Sequence, residues 1–320
     1  MRIGLKFAAM LLAGSAAALM QGAWGQEFPS KVIRVVVPNP IGSTADVVAR
    51  LIVPEMSRVL GQPMVIEPKP GGDQRIGAEY VAKQVPADGH TVAVIAIANL
   101  ASIPALVKNP GFDPLRDLTP VTTLVAGRIY LGSPLQSPWK NFGEMVAYAK
   151  ANPGKLNYGS TAVSTRLRIE AILQDRELNV VYIPYPTTGA EEQGLYQGHI
   201  QLMITSDRMV SQRDRVLALA VSGRERSPRF PDVPTYLELG LPPVPGAEYS
   251  LNVPAGTPKA AFDKLYAAVS RALQQPELKA QMTKLAFEIV NDTPEAAARN
   301  LAEQAKLVAD VVQRLGLRPQ

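Results

Sequence analysis

The sequence predicts an α/β protein of two lobes joined by a hinge, with the second lobe inserted into the first and a ligand cleft between them. Three observations carry that expectation. Short β-branched runs alternate with stretches of helical apolar spacing, which is the pattern of βαβ units and a parallel sheet with right-handed crossovers. With the first 25 residues set aside, about 295 remain, enough for two cores and long for one. A Pro-rich stretch over 228–245 precedes a late strand that returns to the opening lobe. The expected division is a leader at 1–25, a discontinuous first lobe at 26–126 plus 251–320, and an inserted second lobe at 127–250.

The elements follow in order. Arg2 and Lys6 precede an apolar run over 7–20 and then Ala23-Trp24-Gly25, the layout of a cleaved export signal, so Gln26 is expected to start the mature chain. The run is too short to cross a bilayer comfortably. Residues 32–37 read as a buried strand ended by Pro38. Over 45–60, Val47, Val48, Leu51, Ile52, Met56, Val59 and Leu60 recur at helical spacing, and Gly61 stops the helix. A strand at 64–66, a helix at 76–84 and a strand at 91–97 follow. Strands at 118–126 and 129–133 run out into the second lobe. There, helices at 142–151, 165–175 and 191–196 alternate with strands at 156–159, 180–185, 200–205 and 216–221. A strand at 250–253 returns to the first lobe, and helices at 259–273 and 294–315 end the chain.

Composition narrows the function. Hydrophobic residues are 47% and charged residues 19%, ordinary for a soluble globular chain. The formal charge of +5 falls to about +3 without the leader, and no dense Lys/Arg run is interleaved with aromatics. Nucleic acid is therefore not an expected partner, and the mild positive excess helps attract an anion only weakly. The chain has no cysteine, so it forms no disulfides and carries no thioether-linked lipid. His90 and His199 are the only histidines; both lie in turns, outside any nucleophile or metal-ligand frame. The expectation is a non-enzyme without cofactor or metal, a monomer whose ligand is a small organic anion.

Candidate binding residues cluster in loops that follow strands. The first is Asn39-Pro40-Ile41-Gly42-Ser43-Thr44-Ala45-Asp46. Gly42 permits a tight turn, and Ser43 or Thr44 can cap the helix while neighbouring amides stay bare. That terminus suits a carboxylate or phosphate, or is simply an ordinary capped helix start. The loop is not a Walker motif. Ser160, Thr161, Ser164 and Thr165 repeat the logic in the second lobe. Two such starts facing across a cleft would hold a dicarboxylic solute. Arg166 and Arg168 could each grip an anion in a forked pair or point to water; Arg166 is the candidate carried forward, and which of the two faces the cleft stays open. Asn99, then Tyr185 and Thr187, then Thr205, Ser206 and Asp207 complete the set. Glu191 and Glu192 read as solvated helix residues.

Several motifs recur in one order: Phe28-Pro29-Ser30-Lys31, Gly61-Gln62-Pro63, Ile76-Gly77-Ala78-Glu79, Ala87-Asp88-Gly89-His90-Thr91, and Asn152-Pro153-Gly154-Lys155. Then come Pro231-Asp232-Val233-Pro234-Thr235, Glu238-Leu239-Gly240 and Pro254-Ala255-Gly256-Thr257-Pro258. In order and spacing, across nearly the whole mature chain, they resemble the Bug family, the extracytoplasmic solute receptors of tripartite tricarboxylate transporters. The resemblance implies a type II periplasmic-binding fold in the periplasm of a Gram-negative bacterium. It implies carboxylate, amino-acid or aromatic-acid ligands held by backbone amides of the two loops, and delivery to the membrane permease subunits of such a transporter. A membrane sensor kinase is the alternative partner. The chain departs from the family pattern where ligand is read. Ser43 stands for a second glycine, and the loop before Ser164 is one residue shorter, with Leu167 near a usual histidine. Pro186, Thr187 and Thr188 replace Lys-Gly-Gly after Tyr185, and Gln201 replaces an aspartate. Bulkier groups stand where glycines allow close backbone approach, so a diverged member with another ligand class is the further alternative.

Overall fold

The computed structural model describes residues 27–320 apart from Arg224, Pro243, Leu315, Arg318 and Gln320; the expected leader lies outside the described residues. The first lobe opens with β1 (Ile33–Val37), α1 (Thr44–Leu60), β2 (Met64–Pro68), α2 (Arg75–Lys83), β3 (Thr91–Ala96), α3 (Ile97–Leu106), a short α4 (Pro114–Asp117) and β4 (Leu118–Gly127). It is completed from the far end of the chain by β10 (Ala247–Pro254), α9 (Lys259–Leu273), α10 (Pro276–Lys284), β11 (Phe287–Ile289) and α11 (Pro294–Arg314). Its six strands lie in the order β11-β4-β10-β3-β1-β2. β1 runs parallel to β2 and β3, and β10 runs antiparallel to β3 and β4.

Both faces of this sheet are covered, which is why its central strands read as continuous apolar runs instead of alternating ones. Val35 and Val37 of β1 pack with Val48, Ile52 and Met56 of α1 and with Leu265 and Val269 of α9. Val36 points the other way, into a core with Ala78 and Val81 of α2, Leu100 of α3 and Leu301 of α11. The close approach of α2 demands glycine: a Cβ added to Gly77 would meet the Lys69 carbonyl oxygen and Pro38 Cβ, each at 2.8 Å. Gly77→Ala is therefore expected to cost about 1–3 kcal/mol by overpacking, read as a lower denaturant midpoint with an unchanged slope.

The second lobe holds β5 (Ile129–Pro134), α5 (Phe142–Ala151), β6 (Asn157–Ser160), α6 (Val163–Asp175), β7 (Val181–Pro184), α7 (Thr188–Tyr196), β8 (Met203–Ser206), α8 (Asp207–Val210) and β9 (Val216–Val221). β8-β5-β9 form one antiparallel sheet and β6-β7 a parallel pair, bridged at Tyr158 and Leu202. Leu131, Trp139, Phe142, Tyr158, Ile172 and Tyr236 share its core.

The chain crosses between lobes at Arg128 and again just before β10, after a segment that packs Tyr236, Leu241 and Val244 into the second lobe's core. The first crossing is laced to the start of that segment: the Ile129 amide donates to Ser222 Oγ at 3.0 Å, and Arg128 Nη1 donates to the Glu225 carbonyl at 2.6 Å. β10 begins three residues earlier than the sequence suggested, pairing Ala247 with Gly127, so 247–250 run in the first lobe's sheet and not in the second lobe. α3, α10 and β11 were not anticipated. α3 is apolar on nearly all sides and contains Pro104, so it presents no stripe to recognise, and its first residue, Ile97, closes the apolar run that reads as a strand over 91–97. The lobes also touch away from the crossings. Leu167 and Ala171 of α6 pack against Val308, Val311 and Val312 of α11.

Candidate functional site

The first helix start is closed by its own side chains. Gly42 adopts a left-handed φ of 82°, and Ser43 is the N-cap, its Oγ accepting from the Asp46 amide at 3.3 Å. Asp46 reaches back to accept from the Gly42 amide at 2.9 Å and from Arg50 Nε at 2.8 Å. The Arg50 bond and the Gly42 amide hold the Asp46 carboxyl below its ordinary range against the opposing effect of burial. Ser43 and Asp46 thus organise the loop, while the amides of Thr44 and Ala45 have no acceptor among the described residues. Ala45 itself is core, Ile41 is 71% exposed at the loop tip, and Asn39 Oδ1 is buried without a partner. Ser43→Ala is accordingly expected to weaken α1 by about 1 kcal/mol, measured as a loss of unfolding free energy in the solute-free protein.

The second helix start is built differently. Ser160 is buried; its Oγ accepts from the Ala162 amide at 3.2 Å and lies 2.6 Å from Thr165 Oγ1, which donates to the Ala162 carbonyl. Ala162 is the N-cap and offers no side-chain cap. The amides of 163–165 have no acceptor among the described residues, beside exposed Thr161 and half-buried Ser164.

The two arginines on α6 part company. Arg166 Nε donates to Glu170 Oε1 at 2.6 Å, and its guanidinium sits 4.4 Å above the Tyr182 ring. Tyr158 donates to the same Glu170 oxygen, so Arg166 is held inside the second lobe. Arg168 projects toward the first lobe. Its Nη2 donates to the Gly246 carbonyl at 3.3 Å, and it stands among Tyr236, Glu248 and Tyr249. Enclosure holds its pKa below the usual guanidinium value, opposed by those three neighbours, yet an arginine stays cationic at neutral pH. Tyr249 in turn neighbours Thr44. Thr44, Tyr249 and Arg168 therefore form a chain of neighbours from the first helix start to α6.

The remaining candidates disperse. Asn99 donates to Asp73 Oδ1 at 2.8 Å, pinning a loop in which Asp73 and Gln74 both have positive φ. The Tyr185 ring packs over Gly159 and Gly194, and Thr187 caps α7 by accepting from the Ala190 amide. Thr205 is buried with Oγ1 unpartnered, and Ser206 is exposed. Buried Asp207 accepts from the Tyr130 hydroxyl at 3.0 Å. It opens onto a groove of about 670 Å³ with Arg128, Arg229 and Lys279, on the face that carries α10 and β11. Ser164 and Arg168 instead line a recess of about 50 Å³ with Ala98, Val244 and Gln304. That recess shares Val244, Gln304 and Leu307 with a groove of about 880 Å³ that reaches Tyr236, Glu248 and Asn300.

Glu191 corrects the sequence reading. Glu192 pairs with Arg208 and keeps only 14% of its side chain exposed, and Glu191 is only 5% exposed and beds against Gly159. Burial, reinforced by the charge of Glu192, raises its carboxyl to about 7. Tyr236, Glu248, Tyr249 and Gln304 were also missed. Nothing local in the sequence marks them: Tyr249 lies between Glu248 and Ser250, and Gln304 follows Glu303.

Two α/β lobes with two crossings and helix starts flanking their seam define a hinged solute receptor of the periplasmic-binding type. The chain belongs to the family described as "Tripartite tricarboxylate transporter family receptor", which matches residues 48–317. A protein of Cupriavidus necator named "UPF0065 protein in gbd 5'region" is 31% identical over 305 residues, spanning 94% of this chain and 92% of the relative. Among solved structures, MatC from Rhodopseudomonas palustris with bound malate is 32% identical at a TM-score of 0.76, covering 89% of this chain and 100% of that one. A second R. palustris protein, with adipate, is 26% identical at a TM-score of 0.79, covering 92% and 100%.

Proposed function

We propose that the chain, exported through its 1–25 leader, captures a small organic carboxylate in the periplasm by closing its two lobes. It then delivers the solute to the permease subunits of a tripartite tricarboxylate-type transporter. The observation that carries this reading is the pair of helix starts on opposite lobes, each with bare amides: Thr44 and Ala45 in one, 163–165 in the other. Each amide or hydroxyl bond to a charged carboxylate contributes about 1.5–3 kcal/mol, roughly tenfold to a hundredfold in affinity. The malate and adipate held by two relatives support the ligand class.

The test is a thermal-shift and calorimetric screen of the purified receptor against mono-, di- and tricarboxylates, amino acids, aromatic acids and uncharged sugars. A solute that binds only the folded state raises the melting temperature with concentration. A rise with an acid is the expected result. A rise with sugars alone, or none with any acid at millimolar concentration, overturns the reading.

A further inference from the structure

One guanidinium at the seam has donors to spare. Arginine offers five N–H donors in a fixed fork, and Arg168 makes one hydrogen bond among the described residues, to Gly246 at 3.3 Å. No carboxylate of the described residues lies within ion-pair distance of it. Glu248 is near, but its Oε2 already accepts from Asn300 Nδ2 at 2.7 Å and Gln304 Nε2 at 2.8 Å, which hold it toward α11. Tyr236 completes the arrangement. It is 1% exposed, it neighbours Arg168, and its hydroxyl is buried with no partner. A buried hydroxyl left unpaired is costly, and the half-buried guanidinium keeps most of its donors free. Both borders of this pair are open space: Arg168 lines the 50 Å³ recess and Tyr236 the groove that shares its walls.

We propose that Arg168 and Tyr236 form a second, side-chain anchor for the solute, which makes the receptor favour acids with two acidic groups over those with one. The proposal rests on the carboxylate reading above, in which backbone amides at the helix starts take the first carboxylate. Ser164 and Arg168 are one turn apart on the same face of α6, about 6 Å along its axis. That spacing matches the carboxylates of a short, extended diacid. The second carboxylate accepts from the guanidinium fork and from the Tyr236 hydroxyl, which has no other partner among the described residues.

The experiment is calorimetry on the wild-type receptor, Arg168→Met and Tyr236→Phe with matched pairs: succinate against butyrate, and adipate against hexanoate. Met keeps the apolar stem and Phe keeps the ring, so packing is largely preserved, and melting temperatures without solute report any loss of folding. The wild type should prefer the diacid by at least about tenfold. Arg168→Met should bring that preference below about threefold while butyrate and hexanoate binding moves little, and Tyr236→Phe should reduce it by an intermediate factor. If folded variants keep the full diacid preference, Arg168 and Tyr236 are interlobe packing only and the anchor is wrong, while the carboxylate reading stands. Equal wild-type affinity for the two acids of each pair also overturns the anchor alone. If neither acid of either pair binds the wild type while another acid of the screen does, the anchor falls alone; if no acid binds at all, the carboxylate reading and the anchor fall together.

Discussion

Replacing Trp139 by alanine is expected to lower the unfolding free energy by about 3–5 kcal/mol. Trp139 is 1% exposed in the second lobe's core, packed with Phe142 and Met145, and its ring centroid is 5.1 Å from that of Tyr148. Its Nε1 donates to Ser133 Oγ at 3.0 Å, and Ser133 in turn meets Ser137 Oγ at 3.1 Å. The truncation therefore removes the largest side chain in that core and also strips a buried serine pair of its donor. Trp139→Phe separates the two effects: most of the volume remains, and the lost hydrogen bond should cost about 1 kcal/mol. Because the lobes have separate cores, denaturant unfolding should be followed with a probe in each, and the loss should appear first in the second lobe. A loss below about 1 kcal/mol for the alanine variant would show that this packing does not hold the lobe together.

Glu191 gives the second large effect, and it depends on pH. Its carboxyl is raised from an ordinary value of 4.5 to about 7 because burial disfavours the charged form. The folded state therefore holds its proton across a range in which the unfolded chain has already lost it. Stability falls as pH rises from about 4.5, and levels off above about 7. The accumulated cost is about 3 kcal/mol. Glu191→Gln should match the wild type at pH 4, lose the slope between, and be more stable by that amount at pH 8. Urea midpoints at pH 5 and pH 8 decide the matter. An unchanged slope in the variant would mean that water or a partner stabilises the ionised carboxylate.

The alternation of strand and helix was legible because each element carries its own period, and the ordered motifs added the family. The strand Ile33–Val37 and the helix Thr44–Leu60 announce themselves through β-branched residues, a serine cap and a glycine stop. What the sequence hid lies where two distant segments meet. The paired neighbours Arg166 and Arg168 are chemically alike, and only tertiary packing sends one onto Tyr182 and the other into the seam. Glu191 sits beside a second glutamate at the start of a helix, which is the signature of a solvated face. It is buried because Gly159 leaves room for it across the neighbouring strand. Asp46 shows the same limit from the other side. Its position in the first loop suggested a ligand contact, yet its carboxylate is engaged by Gly42 and Arg50.

The seam between α6 and α11 also makes the molecule easy to instrument. The chain contains no cysteine, so one cysteine introduced at Leu307 would be the sole thiol available to a polarity-sensitive dye. Leu307 is half-buried and borders both the recess and the groove between the lobes. A dye there would report every change in the angle between the lobes as a change in emission. The receptor would then serve as an optical gauge for its own solute, calibrated without a transporter or a radiolabel.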